Sequence, residues 1–466
     1  MIFFSLFSGT ISVLLQSRSG GFSRKDIAVG GAPSSVSLGD LNRDGRLDVV
    51  TANLSSNSIS VLLQSASGSF SRKDVAIGRF PNSISLGDVN GDGRLDVVTS
   101  NSSYSAVMNS GMINVLLQSA RGGFSRKDYA VGGIPRSVSL GDVNGDGRLD
   151  VVTANSTSNS ISVLLQSRSG SFPRKDIAVG KSPNSLSLGD VNGDGRLDVV
   201  TANSASNSIS VLLQSTSGGF SRKDIAVGKG ASAVILGDVN GDGRLDVVTS
   251  NSASNSASVL LQSSSGGFSR KDIAVGNQPS SVTLGDLNGD GRLDVVTANR
   301  NPKNPGTISV LLQSANGGFL RKDIAVGKGS SSVSLGDLNK DGWLDVVTAN
   351  ADSGTVSVLL QSAGGGFSRK DLSVGFMPSS ISIGDVNRDG HLDLVVANLS
   401  SGTISVLLQG ASGGFLRKDY LAGGSGISIA LGDVDSDGLL DFVIGNLVPK
   451  SIHSSGGNVR IGLQKR

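Results

Sequence analysis

The sequence predicts an all-β fold, a single β-propeller of about nine four-stranded blades spanning residues 1–466 as one domain. Three observations point there. An aspartate-rich nonapeptide, D-[LV]-[ND]-x-D-G-x-L-D, occurs nine times, starting at Asp40, Asp88, Asp142, Asp190, Asp238, Asp286, Asp337, Asp385 and Asp433. Its period is 48 residues apart from two small insertions, and a fixed period of this size marks stacked supersecondary units rather than the several globular domains that length alone suggests. Composition completes the argument: 65 Gly, abundant Ser and no Glu leave little from which to build helices.

Each unit contains four short β patterns. Residues 83–88 (S-I-S-L-G-D) alternate apolar and polar, and residues 95–100 (L-D-V-V-T-S) follow the acidic loop directly. The third and fourth patterns are illustrated by residues 59–64 (I-S-V-L-L-Q) and 70–78 (F-S-R-K-D-V-A-I-G). Gly, Ser, Asn and Pro clusters punctuate them. Four antiparallel strands per unit of about 40 to 50 residues is the size of a propeller blade. The N-terminal region supplies strands three and four of a blade (residues 10–16 and 22–30). The C-terminal region supplies strands one and two (427–433 and 440–446), with 458–464 as a candidate third. Pairing these ends closes a ninth blade and removes both open edges; the alternative is an eight-bladed ring with end strands left over. The apolar residues 1–7 lack the basic region and long apolar stretch of a signal peptide and align instead with the strand beginning at Leu394.

The nonapeptide has the donors of a hard cation, which takes about six to eight oxygens. Positions 1, 3, 5 and 9 are Asp40, Asn42, Asp44 and Asp48 in the first copy, then Asp88, Asn90, Asp92 and Asp96, then Asp142, Asn144, Asp146 and Asp150. They continue as Asp190, Asn192, Asp194 and Asp198; Asp238, Asn240, Asp242 and Asp246; Asp286, Asn288, Asp290 and Asp294. The last three sets are Asp337, Asn339, Asp341 and Asp345; Asp385, Asn387, Asp389 and Asp393; Asp433, Asp435, Asp437 and Asp441. Position 7 runs through Arg46, Trp343, His391 and Leu439, which share only a backbone carbonyl. Position 4 varies between Arg43, Gly91, Lys340 and Ser436, so it is expected to face solvent, while position 6 is always Gly, as a sharp turn needs. Position 8 is always Leu, expected to point into the blade core. The competing view is an ion-free Asx-type hairpin turn, but three converging carboxylates repel one another without a cation. The expected cofactor is Ca2+, up to nine ions, favoured over Mg2+ by an all-protein oxygen cage.

At this point the unit resembles the FG-GAP or VCBS repeat, the calcium-loop blade of integrin α-subunit propellers and of many bacterial surface and secreted proteins. G-A-P stands at Gly31, Ala32 and Pro33, and G-x-x-P recurs at 78–81, 132–135, 180–183 and 375–378, while 228–231 has lost the proline. The G-G-F element stands where the family has its Phe-Gly. This resemblance covers essentially the whole chain. It implies a ligand-binding face opposite the calcium loops.

Catalytic machinery is not expected. Every acid is an Asp; all but Asp352 lie in a loop or in the R-K-D triplet of strand four, and Cys is absent. Of the two histidines, His391 occupies a loop position and His453 a C-terminal turn, which leaves no acid/base pair or nucleophile triad. Charged residues on an outer strand block edge pairing, so R-K-D reads as an edge device before it reads as a polyanion site. No apolar run reaches the roughly 20 residues of a membrane span.

Strand direction puts the calcium loops and the three-to-four loops on one rim, and the two-to-three and four-to-one loops on the other. Both insertions fall on the second rim, bringing Tyr104, Met108 and Met112, and Arg300 and Lys303. Arg79, Phe80, Phe376 and Met377 lie in its four-to-one loops. These are the candidate ligand-binding residues, since variable loops on a rigid scaffold carry binding. The expected function is a calcium-binding, non-catalytic, extracellular or cell-surface adhesion or ligand-binding module. Its expected partner is a protein or an anionic glycan, not nucleic acid, and the chain is expected to be a monomer. The alternatives are a purely structural repeat array and an accessory region of a carbohydrate-active enzyme.

Overall fold

The computed structural model describes residues 9–16, 22–101, 110–119, 123–167, 171–216, 219–301, 305–421, 425–432 and 441–447. Nine antiparallel four-stranded sheets form the fold. Eight are each made from four consecutive strands, and the ninth joins Phe22–Val29 and Gly9–Gln16 to Asp441–Leu447 and Ser425–Gly432. In that closing sheet Ile11 lies opposite Gly445 and Val13 opposite Val443. The pairing of the two ends is therefore as the sequence predicts; residues 458–464 lie outside the described residues. Innermost strands of successive blades lie side by side around the ring, including that of the closing sheet against its neighbours. Among the described residues no helix is long and apolar enough to cross a membrane.

One blade shows why the sequence folds this way. Its strands run Pro183–Gly189, Asp198–Asn203, Ser208–Gln214 and Phe220–Ala226, from the axis outward. The second strand is buried along its whole length, and the third except at Leu213. Continuous β-branched and Leu runs suit strands covered on both faces. The outer strand is exposed except for half-buried Phe220 and Ile225. The core lies between blades: Val200, Ile209 and Val211 pack with Val234, Val247 and Leu260 of the next sheet. Each such side chain contributes about 1.5–3 kcal/mol of burial, and no blade can bury its faces alone.

The close approach depends on one glycine per blade. A Cβ on Gly189 would stand 2.8 Å from Leu236 Cδ1 and 2.9 Å from Leu245 Cδ1 of the following blade. Leu245 is loop position 8, so that leucine packs on the preceding blade's glycine as well as into the shared core.

The R-K-D triplet does more than guard an edge. Arg222 grips Asp224 through Nε and Nη2, and its Nη1 donates to the Ala178 carbonyl on the preceding blade at 2.7 Å. Asp224 accepts Ser210 Oγ at 2.7 Å, and Ser210 Oγ in turn accepts Gly180 N–H, where the preceding blade crosses over, at 3.1 Å. The lysine reaches the other way: Lys271 Nζ donates to the Gly317 carbonyl of the next blade at 3.2 Å and lies 5.8 Å from the Phe319 ring centroid. Arginine and lysine each bond a neighbouring blade, and Asp224 holds the arginine and the Ser210 hydroxyl in place.

Two outcomes test this account. Deleting residues 1–30 should expose the edge of the closing sheet and yield oligomers by light scattering; a monomer of unchanged stability would mean that the ends do not seal the ring. Ser210→Ala should cost about 1–3 kcal/mol in urea unfolding by stranding buried partners, against near zero for Ser221→Ala. The acid response follows from the same contact. The Arg222 guanidinium, opposed by partial burial and aided by Ser210, holds the Asp224 carboxyl below the ordinary carboxylate range, with the same direction at Asp74 and Asp371. A depressed folded pKa stabilises at neutral pH, and that share is lost as pH falls through the folded value. Arg222→Ala should thus lower the urea midpoint at about pH 7 and narrow the drop between about pH 7 and about pH 3.

Candidate metal loops

In the loop at 142–150, the backbone folds around its own side chains. Asp142 Oδ1 accepts Gly145 N–H at 2.7 Å and Asp146 N–H at 3.0 Å, and Oδ2 accepts Gly147 N–H at 2.7 Å. Asn144 Oδ1 accepts Asp146 N–H at 3.0 Å, and Asp146 Oδ1 accepts Arg148 N–H at 3.0 Å. Gly147 has φ 81°, the left-handed turn expected of position 6. Position 4 is left-handed too, at Gly145 (74°) and also at Arg43 (62°), Lys340 (60°) and Arg388 (53°), which accounts for glycine there in most copies.

Position 9 forms the floor. Asp150 is fully buried; its Oδ2 accepts Val143 N–H at 3.0 Å and its Oδ1 accepts Gln166 N–H from the third strand at 2.7 Å. Burial pushes its carboxyl up to about 7, with those two N–H donors pulling the other way and Asp146 and Asp142 adding repulsion. Gln166, missed by sequence reading, belongs to a buried series at the end of each third strand. Its counterparts Gln262 and Gln361 donate to the carbonyls of Val191 and Leu287 in the preceding blade's loop. The invariant Q after V-L-L was the available signal.

The structure brings positions 1, 3, 5 and 9 into one loop in each of the first eight copies, but among the described residues no three acidic or histidine side chains stand together as a ready cation cage. One reason lies at position 7, where the side chain is not idle. Arg148 pairs with Asp146, as Arg46 does with Asp44 and Arg196 with Asp194, and Arg94 and Arg292 approach Asp92 and Asp290 at 3.3 and 3.4 Å. The expectation that position 7 offers only a carbonyl is corrected accordingly. Trp343 and His391 release their loops from this pairing. In the His391 loop Asp385 Oδ1 is buried without a hydrogen-bond partner, while Oδ2 accepts Gly390 N–H at 2.8 Å. The carboxylates of Asp385, Asp389 and Asp393, one of them with that orphaned oxygen, and the Asn387 amide oxygen are donors of the kind a hard divalent cation takes. Of the ninth copy, Asp433, Asp435 and Asp437 lie outside the described residues, as does the side chain of Asp441.

The opposite rim is built from the crossovers between blades and the loops that follow each second strand. Ser182, between strand four of one blade and strand one of the next, receives Ser204 N–H on its carbonyl at 3.0 Å and gives its own N–H to Asn159 Oδ1 at 2.9 Å. Arg79 is exposed there, and Phe80 is half-buried at φ 52° with its N–H on Asn57 Oδ1 at 3.0 Å. Phe376 is 74% exposed and Met377 40%. Arg300 Nη2 lies 3.8 Å from Asp352 Oδ1. Met112 is half-buried at the start of a third strand, its Sδ beside Gly78, so it packs rather than projects. Tyr104, Met108 and Lys303 lie outside the described residues. Sequence reading missed exposed Lys181, Lys229 and Lys328, which share the G-x-x slot of Arg79; that slot, aligned across repeats, was the signal.

Asp146→Ala should lower calcium affinity measured by calorimetry, whereas Arg148→Ala, by releasing the Asp146 carboxylate from its ion pair, should leave affinity unchanged or raise it by about two- to fivefold. Equal losses in the two variants would refute this ligand assignment.

The model of the FG-GAP-like repeat matches residues 40–99, 142–201, 190–249, 238–297, 286–348, 337–396 and 385–444. No curated protein is detectably related in sequence. Among solved structures, the dihydro-heme d1 dehydrogenase NirN is similar in fold, with a TM-score of 0.50 at 15% identity over 85% of this chain and 76% of that one. The Pseudomonas aeruginosa periplasmic gluconolactonase PpgL aligns with a TM-score of 0.41 at 18% identity, covering 70% of this chain and 98% of that chain. Kuenenia stuttgartiensis hydrazine synthase aligns with a TM-score of 0.41 at 15% identity, covering 80% and 95%. With its repeats matched across most of its length, the chain belongs to the FG-GAP-like repeat family.

Proposed function

We propose that this protein is a calcium-stabilised, non-catalytic ligand-binding or adhesion module working outside the cell, as a monomer with up to nine ions. The observation that carries the calcium reading is the 385–393 loop, where Asp385 keeps a buried oxygen unpartnered and position 7 is His391 in place of the arginine that pairs with the position 5 carboxylate elsewhere. Asp385, Asn387, Asp389 and Asp393 would hold the ion, which supplies the positive charge that lets these carboxylates stay together. The non-catalytic reading is supported by how the charged groups are used. Outer-strand aspartates are tied to arginines, and Asp352 stands beside Arg300. The extracellular reading is supported by mass action, since extracellular modules bind calcium at about 10⁻⁴–10⁻³ M.

Calcium should raise the thermal midpoint relative to excess chelator, each site adding about 2.7 kcal/mol at a hundredfold excess over its Kd. Asp385→Asn should remove more of that gain than Asp44→Asn, whose carboxylate is already paired with Arg46. A midpoint indifferent to chelator would overturn the calcium reading.

A further inference from the structure

We propose that the rim opposite the aspartate loops holds a binding groove for an anionic oligosaccharide, centred on Arg300. The inference deepens the ligand-binding reading above and rests on it. Charge on this rim is strongly one-sided: among the described residues it exposes Arg79, Arg136, Lys181, Lys229, Arg300 and Lys328 against Asp352 alone. The segregation is a consequence of the fold, because the repeats place their other aspartates in the loops of the opposite rim and on the outer strands.

Within this basic rim lies a cavity of about 460 Å³ spanning two adjacent blades. Ser232 and Ser252 line it from one blade, and Gln278, Ser280 and Arg300 from the next, with Pro279 providing an apolar floor. The serines are fixed by the protein: Ser252 Oγ donates to the Gly230 carbonyl at 3.1 Å and Ser280 Oγ to the Ser330 carbonyl at 3.2 Å. With their protons so committed, their oxygens present acceptors to sugar hydroxyls. Gln278 is exposed and brings an amide, and Arg300 brings a planar guanidinium that suits a carboxylate or sulfate in two-point contact. Asp352, at 3.8 Å, orients Arg300 without gripping it.

The lysines extend the groove along the ring. Lys229 precedes Ser232 by three residues in the same crossover, and Lys328 belongs to the crossover that delivers Ser330 beside Ser280. Lys181 stands in the equivalent crossover one blade before Lys229, and Phe376 one blade beyond Lys328, offering a ring face for a sugar to stack on. Cations repeated along an arc, polar acceptors and an aromatic platform describe an extended chain of acidic sugars better than a compact anion.

The test titrates the full chain in millimolar calcium, by calorimetry, with a heparin oligosaccharide, a galacturonate oligosaccharide, an uncharged malto-oligosaccharide and a short single-stranded DNA. One or both acidic sugars should bind, and which of them does separates sulfate from carboxylate recognition. Arg300→Ala should weaken that binding by about tenfold, and Lys229→Ala or Lys328→Ala by about two- to fivefold each. Lys223→Ala, the same charge loss on an exposed outer strand, should leave it unchanged. Binding of neither acidic sugar, equal binding of the uncharged sugar or the DNA, or equal losses in Arg300→Ala and Lys223→Ala would each overturn the groove. A protein that ignores calcium yet binds acidic sugars through Arg300 would sink the calcium reading and leave this inference standing.

Discussion

One buried polar side chain, a serine hydroxyl in all blades but one, fastens a blade to its neighbour. In Ser210 that hydroxyl accepts a backbone N–H from the preceding blade and donates to the outer-strand Asp224, whose arginine partner then reaches back to the preceding blade's carbonyl. Removing the Ser210 hydroxyl leaves the buried Gly180 N–H unpaired, a larger penalty than the bond itself contributes. Because the connection is polar and directional, it fixes the angle between blades in a way that Val and Leu contacts cannot. The glycine at the end of each inner strand sets the separation, and the hydroxyl sets the orientation. A ring closes only if that step is uniform, and the uniformity of the repeats is the sequence's answer to that constraint.

The blade with the longer insertion shows how strict the requirement is. Where other blades have serine, this one has Asn114, and the side chain performs both tasks: its Oδ1 accepts Gly78 N–H at 2.9 Å and its Nδ2 donates to Asp128 at 2.6 Å. The insertion is absorbed outside this register, so the clasp survives.

Much of this was legible because strand patterning, loop glycines and the period are local properties. The four strands, their order and the closure by both ends follow from alternation and counting. What the sequence concealed is the use of side chains across blades. Arg222 and Asp224 read as an exposed charged edge because the carbonyl they serve lies 44 residues away. Position 7 read as chemically indifferent because it tolerates Trp343 and His391, yet six arginines there lean on the position 5 carboxylate. Variation among repeats reveals what a position need not do; it does not reveal what a residue does where it is present.

The same segregation of charge underlies the proposal of a cation at one rim and an acidic sugar at the other. The loops gather carboxylates whose ionisation burial opposes, as at Asp150 and Asp393, so a cation placed among them would favour their charged form. The opposite rim has almost no acid, and its crossovers repeatedly present lysine or arginine at one backbone position. That position is followed by a residue in the left-handed region, at φ 53° in Ser182 and 54° in Met377, with its N–H or carbonyl held by neighbouring loops. The side chain before it is therefore free to vary while its backbone is not. A rigid ring that exposes one variable position per blade can change its ligand by substitution at those positions alone, without disturbing the hydroxyl clasp or the aspartate loops beneath.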